Sequence, residues 1–352
     1  MFPQGKTFLT SIIADYEFLE PTTEKLQTAR NHLLVECLRP DQPTDYPIAS
    51  EYPLVLGPTG TGHSICVTWK GDQSAPERVL AHANMWLRTM QPELRADSFP
   101  PVKLAFVGNV ATAKREQGKG WMKTLMAEIE RRAMAQGADG IVLWSDLVDF
   151  YQKLGFTPSG HELRITLSTK ILCAKNATTV WVPQGYQSGN LPHDLIRRIF
   201  ELRSIGFQQP FFQVERSLRE FSELLKIPDL VLFVGYGGTP NEAATPQHQR
   251  PIDFFFMVGK GADMQGIIHE WGTTDIGFLT GAAGFVAQKA NLEEIMILVP
   301  PAIEETRLAQ LKHASTRVEQ HSMAWVKTLN PETRLLVDRA LRDGFIWGLD
   351  SI

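Results

Sequence analysis

The four-residue turn Gln117–Gly120 is the clearest candidate for anion chemistry in this sequence. It follows a strand-like run that ends near Thr112, and it opens an amphipathic helix predicted over 119–136. The first backbone N–H groups of a helix lack intrahelical acceptors and lie at the positive end of its dipole. Glycine lets a pyrophosphate approach that backbone closely, so strand, turn and helix together predict an anion site. Such glycine patterns also arise by chance, and a structural turn is the alternative.

A second motif, Tyr151–Phe156, lies about thirty residues downstream and reads YQKLGF. It follows a short apolar strand predicted at 141–144 and a short helix predicted around 146–154. Together the two motifs resemble the GNAT superfamily of N-acetyltransferases. That family carries a Q/R-x-x-G-x-G/A turn after its fourth strand and a Y-x-K-x-G-F segment after its fifth.

The first motif matches the family at Gln117, Gly118 and Gly120, with Met122 in place of its last small residue. A register that starts at Arg115 also matches formally, but it fits the helix start less well. The second motif matches at four positions, which are Tyr151, Lys153, Gly155 and Phe156. The resemblance covers 100–170 well and extends over 1–170.

The resemblance implies an acetyl-CoA site in the first half. No cluster of histidines and cysteines has the spacing of metal ligands, so we expect no metal. Backbone groups of Val110, Ala111 and Thr112 would hold the thioester and pantetheine. The pyrophosphate would bind to backbone N–H groups of the turn and helix start, which are Gln117, Gly118, Lys119, Gly120, Trp121 and Met122. Tyr151 would protonate the leaving thiolate, a role that contributes about 10²–10⁴-fold in general acids.

Several roles stay open at this level. Tyr151 can instead be a core aromatic residue packed beside Phe150 and Phe156. The family often has an asparagine about seven residues before its tyrosine, where this chain has Trp144-Ser145. Four residues are candidates for a general base only because they lie near the predicted site. They are Asp146, Asp149, His82 and Glu116.

The length of 352 residues suggests two domains at roughly 100–200 residues each. The second half repeats the element order of the first without either motif, and we therefore predict an α/β fold with a mixed sheet and two GNAT-like domains in tandem. The expected organisation is a GNAT domain at 1–170, a linker at 171–192 and a second lobe at 193–352 without the CoA motif. A chain truncated after about residue 175 is expected to retain CoA binding but to be impaired in acceptor selection, because the second lobe would shape the acceptor cleft. The alternative is that this lobe only covers an apolar face of the first domain, in which case truncation would cause aggregation.

Residues 57–64, GPTGTGHS, differ by one residue from a phosphate-binding loop, because His63 replaces its lysine. The following ICVTW run is strand-like, whereas such a loop needs a helix there. We therefore expect a glycine-rich loop or hairpin beside the active cleft.

The net charge of −4 gives no indication of nucleic-acid binding. No apolar run is long enough for a membrane helix, and the missing signal peptide favours a cytoplasmic protein. Three widely separated cysteines indicate a reducing compartment. The leading hypothesis is an N-acetyltransferase that acts by direct attack of an amine, either a small molecule or a peptide or protein amine. The alternative is a non-catalytic acyl-CoA sensor or scaffold.

Overall fold

The computed structural model describes residues 16–70, 79–92, 99–175, 184–187, 191–208, 210–236 and 252–351. Their strands are β1 (Tyr16–Leu19), β2 (His63–Trp69), β3 (Ala81–Pro92), β4 (Val102–Thr112), β5 (Gly140–Leu143), β6 (Thr157–Ser168), β7 (Gln184–Gln187), β8 (Phe212–Val214), β9 (Val231–Tyr236), β10 (Ile252–Lys260), β11 (Asp263–Thr273), β12 (Glu294–Val299), β13 (Ser315–Thr328) and β14 (Gly344–Phe345).

The helices are α1 (Glu24–Leu38), α2 (Ile48–Glu51), α3 (Trp121–Ala135), α4 (Val148–Lys153), α5 (Thr169–Lys175), α6 (His193–Leu202), α7 (Leu218–Leu224), α8 (Ile276–Lys289), α9 (Glu305–His313) and α10 (Arg334–Arg342). Among the described residues, no helix is long and apolar enough to cross a membrane.

All described strands join one mixed sheet whose main path runs β1-β2-β3-β4-β5-β13-β6-β12-β11-β10-β9-β7. The two halves exchange strands at its centre. The strand that follows β5 in the chain, β6, lies beside β12, and the strand that follows β12, β13, lies beside β5. β6 and β13 pair with each other along most of their length. The mixed sheet and its helices confirm the predicted α/β class.

Helix α3 forms where the sequence predicts it. Its apolar positions recur three and four residues apart, and Leu125, Met126 and Ile129 are fully buried against β3, β4 and β5. Gly137 follows the end of α3 and has a left-handed φ of 74°, which is common for a glycine that ends a helix. Helix α1 contacts β3 and β4, and its buried residues belong to a different core cluster from those of α3.

A buried cluster of two arginines and two carboxylates lies in the second half. The Arg216 guanidinium donates two hydrogen bonds to the Glu270 carboxylate, at 2.7 and 3.0 Å, and one to Asp350 at 2.6 Å. Arg203 lies 3.2 Å from the same Glu270. Opposite charges that compensate one another in this way can remain ionised away from water.

Two local predictions have clear outcomes in the structure. Strand β2 begins at His63, within the GPTGTGHS segment, and continues through the ICVTW run as expected, so the helix that a phosphate-binding loop requires is replaced by a strand. In contrast, the long strand β13 was not predicted. Glycines and prolines in residues 237–251 predict a long loop between two strands of the second half. This segment and much of the expected linker lie outside the described residues, and the boundaries at 170 and 193 stay predictions.

Candidate functional site

The gap between β4 and β5 opens at the residues predicted to hold the thioester. The parallel pairing of these strands ends at Val107, opposite Leu143, while β4 continues to Thr112. Among the described strands, none pairs with that last part of β4 on its β5 side. Val110, Ala111 and Thr112 therefore lie on a strand edge that no described strand covers on this side.

A bulge in β4 precedes this open edge. The register with β3 shifts between His82 and Asn84, so that Asn109 and Val110 together lie opposite one residue. Asn109 has a left-handed φ of 48°, which is uncommon outside glycine. Its backbone oxygen accepts a hydrogen bond from the His82 ring at 2.9 Å, and its side chain accepts one from the Asn84 amide.

The glycine turn Gln117–Gly120 places an uncapped helix start next to the open edge. Gly118 and Gly120 have φ values of 76° and 88°, and a Cβ on either would meet nothing within 4 Å. No side chain caps α3 at Gly120, and its first turn carries no acidic residue. The backbone N–H groups of Trp121 and Met122 start this helix, and unpaired N–H groups of this kind favour an anion.

The buried carboxylate of Glu116 holds the turn in place through hydrogen bonds. Glu116 accepts hydrogen bonds from the Trp121 indole and the Lys119 ammonium, both at 3.0 Å. The Gln117 side-chain amide donates to the Thr112 backbone oxygen at 3.3 Å, which ties the turn to the end of β4. These contacts fix the turn against the strand that precedes it.

Tyr151 lies in α4, which follows β5 in the chain, and only 3% of its surface is exposed to solvent. Its ring packs edge-on against Phe150 and Phe156, with centroids 5.0 and 5.6 Å apart. Burial raises its pKa to about 12, so the phenol holds its proton at neutral pH. No hydrogen bond from its hydroxyl is found within the described part of the chain. The aromatic packing and the proton-donor role are therefore compatible.

A central cavity of about 650 Å³ lies where the two halves meet. The cavity is lined by the residues that follow β5, by parts of β6, β11, β12 and β13, and by the C-terminal segment. Its lining residues include Trp144, Ser145, Asp146, Glu162, Arg164, Lys260, Asp263, Met296, Met323 and Trp325. The walls combine aromatic and aliphatic side chains with both acidic and basic groups. Because β5 ends at this cavity, a molecule bound in the cavity would lie next to the β4–β5 gap.

Tyr52 connects the central cavity to the β4 bulge. Its hydroxyl, which lines the cavity, donates to Asp263 at 3.3 Å. The Asn109 side chain also acts on this hydroxyl and lowers its pKa, although burial, the largest influence, raises the pKa overall. Residues of both halves thus surround the end of the predicted thioester site.

The structure separates the four candidate bases. His82 is fully buried with both ring nitrogens engaged, and burial lowers its pKa to about 3. Glu116 anchors the glycine turn. Asp149 is exposed on α4 and does not line the central cavity, whereas Asp146 does. Sequence reasoning missed Glu162, a buried carboxylate on β6 that also lines the cavity and pairs with Arg164 at 2.7 Å.

The corresponding helix start in the second half is closed to an anion. The Asp275 carboxylate accepts a hydrogen bond from the Gly277 backbone N–H at 2.7 Å and caps α8. Glu270, five residues earlier in the sequence, would also repel an anion if it faced this helix start, but it is buried in β11 within the arginine cluster. Asp275 alone therefore supplies the negative charge at this helix start.

Comparison with known proteins supports the resemblance that the two motifs indicate. Residues 87–159 match the family model described as the acetyltransferase (GNAT) domain, and the match includes both sequence motifs. No curated protein sequence matches the chain. A probable N-acyltransferase from Enterococcus faecalis V583 has a similar structure, with a TM-score of 0.60 and 11% identity, over 89% of this chain and 73% of that one.

Two further solved structures have a similar fold over most of this chain. A tandem GNAT protein from the clavulanic acid biosynthesis pathway has a TM-score of 0.53 and 10% identity, covering 90% of this chain and 99% of its own. Saccharomyces cerevisiae N-myristoyltransferase, solved with bound myristoyl-CoA, has a TM-score of 0.52 and 13% identity, covering 91% and 86%. The chain is a GNAT-fold protein. Residues 87–159, which contain the two motifs, resemble a GNAT acetyltransferase domain.

Proposed function

We propose that this protein transfers an acyl group, in the first instance acetyl, from acyl-CoA to an amine. The observation that carries the proposal is the position of an uncapped glycine turn directly after an open strand edge. The pyrophosphate would bind to backbone N–H groups from Gln117 to Met122, where the left-handed glycines leave free space. The thioester would lie along Val110–Thr112, in the gap that opens beyond Leu143.

The chemistry is a direct transfer at the thioester carbonyl. The amine nitrogen, in its neutral form, forms a bond to the carbonyl carbon while the carbon–sulfur bond breaks and its electron pair goes to sulfur. The Val110 N–H would stabilise negative charge on the carbonyl oxygen. Tyr151, protonated because of its raised pKa, would give its proton to the sulfur. The proton released by the amine nitrogen then returns, through solvent, to the phenolate.

The acceptor amine would bind in the central cavity. This cavity adjoins the end of β5, where the thioester would be, and both halves of the chain line it. Asp146 lies at its wall, exposed and next to the β5 end, where a carboxylate favours the approach of a cationic amine and can take its proton. The second half would thus contribute to acceptor binding while binding no CoA of its own, since Asp275 caps its helix start.

The proposal is tested by titration calorimetry with CoA and by a thioester-consumption assay. We expect one CoA per chain, no binding of ATP, and acceptor-dependent release of free thiol with at least one class of amine. Two equivalent CoA sites would contradict the asymmetric assignment. CoA binding without turnover on small amines, peptides and protein lysines would instead support a sensor or scaffold.

A further inference from the structure

A buried chain of hydrogen bonds runs from α1 to the β4 bulge. The Arg30 guanidinium donates to the Ser64 hydroxyl at 3.3 Å, and Ser64 lies 2.8 Å from His82 Nε2. His82 Nδ1 lies 2.9 Å from the Asn109 backbone oxygen. All four residues are buried, with His82 fully so.

The directions of these bonds follow from the chemistry of the groups. A backbone oxygen only accepts, so His82 Nδ1 carries the proton and donates to Asn109. In the neutral ring, Nε2 then accepts from the Ser64 hydroxyl, which itself accepts from Arg30. Burial keeps His82 neutral, because it lowers the pKa to about 3. One tautomer and one ring orientation are therefore held in place.

This contact determines where the next peptide N–H points. The Asn109–Val110 peptide is planar and trans, so the Val110 N–H is directed opposite to the Asn109 carbonyl. The carbonyl faces His82, which belongs to β3 on one side of β4. The Val110 N–H is consequently turned away from β3, toward the side where pairing with β5 has ended.

We propose that His82 is a positioning residue that aims the Val110 N–H at the thioester carbonyl, with Ser64 and Arg30 holding its ring. The inference rests on the proposed acyl transfer and adds to it a side chain that never touches the substrate. A role in packing alone would be served by an apolar residue. Instead, a histidine donates to the carbonyl of a non-glycine residue in a left-handed conformation, which is costly unless its surroundings hold it.

The test compares His82→Leu with His82→Gln. Leucine fills similar space without a donor, whereas the glutamine amide can still donate to the Asn109 oxygen. For His82→Leu we expect kcat to fall by about 10-fold or more, within the range known for loss of an oxyanion donor. CoA lacks the thioester carbonyl, so its affinity should be retained. The preference for acetyl-CoA over CoA should be lost. Glutamine should restore both quantities in large part.

A spectroscopic measurement reports on the carbonyl directly. The stretching frequency of ¹³C-labelled acetyl-CoA bound to the wild type should lie below its value in water and should return toward it in His82→Leu. The control is Trp86→Phe, which removes a hydrogen bond to Thr61 from the same face of β3 without touching the bulge. This control should leave frequency and preference unchanged.

The outcomes separate the inference from the function on which it rests. A folded His82→Leu protein with wild-type carbonyl frequency and wild-type preference for acetyl-CoA would overturn the positioning role alone. If His82→Leu does not fold, Ser64→Ala provides the same comparison, because it frees the ring without removing it. We expect Ser64→Ala to show a smaller shift of the same sign, and no shift would contradict the inference. Failure of the wild type to bind CoA would reject the proposed function itself.

Discussion

The indole nitrogen of Trp325, in the second half of the chain, donates a hydrogen bond of 2.9 Å to the backbone oxygen of Ser145 in the first half. Ser145 lies directly beyond β5, at the mouth of the candidate thioester gap. Trp325 belongs to β13, which pairs with Leu143 of β5 on one side and with β6 on the other. The end of β5 is therefore shaped by a strand from the opposite half.

Replacement of Trp325 by phenylalanine tests this contact. The variant keeps an aromatic wall of the central cavity but loses the bond to Ser145. We expect the KM for the acceptor amine to rise several-fold while CoA affinity changes little, because the glycine turn is untouched. Trp347→Phe is a matched control, since it also loses one indole hydrogen bond, to Gln213, and does not line the cavity. Equal effects of both changes would argue against a specific role for Trp325.

Gly120→Glu should abolish most CoA binding. It places a bulky anion in the space where the pyrophosphate would lie, and we expect an affinity loss of about 100-fold or more in calorimetry. Gly137→Glu is the control, because Gly137 lies at the other end of α3 with a similar left-handed φ and equally free space. Both changes should cost about 1–2 kcal/mol of stability through backbone strain. Only the first should affect CoA, and equal CoA affinity in the two variants would exclude this turn as the pyrophosphate site.

Tyr151→Phe keeps the ring packed between Phe150 and Phe156 while removing the proton donor. We expect kcat to decrease about 10-fold or more, with CoA affinity nearly unchanged. Since burial raises the pKa of Tyr151 to about 12, the wild-type rate should show no loss from its ionisation at mildly alkaline pH. Tyr16→Phe, on β1, serves as the control. A wild-type rate in Tyr151→Phe, with chemistry shown to be rate-limiting, would assign this tyrosine to packing.

The two halves should not fold independently. Without β13, neither β5 nor β6 has the partner that joins them in the sheet, and β6 also loses β12. Exposed strand edges of this kind promote aggregation. We therefore expect residues 1–190 alone to be insoluble and co-expression with 191–352 to restore a CoA-binding complex. This differs from the expectation based on sequence, and a soluble, CoA-binding 1–190 segment would support the earlier view of a separable first domain.

The first half was largely predictable because its signals are local. Residues close together in sequence determine the apolar periodicity of α3 and the glycine turns at its two ends. They also determine strand β2, which begins within GPTGTGHS. The GNAT resemblance rests on two motifs that lie on such local elements, and the family match over 87–159 contains both.

The exchange of β6 and β13 was not predictable in the same way. The first residues of β13, such as Arg317, Glu319 and Gln320, are polar and give no apolar alternation. What holds them in the sheet is pairing with β6, about 150 residues earlier in the chain, and no local pattern encodes a partner at that distance. The residues that line the central cavity were not predictable for the same reason, because its walls come from segments far apart in sequence.

The most direct test of the account is an experimental structure of the protein with bound acetyl-CoA. We expect one molecule per chain, with its pyrophosphate at the N–H groups of Gly118–Met122 and its thioester oxygen within hydrogen-bonding distance of the Val110 N–H. The sulfur should lie near the Tyr151 hydroxyl. Acetyl-CoA bound instead at Asp275 and the start of α8, or with its thioester away from the β4–β5 gap, would contradict the central claim.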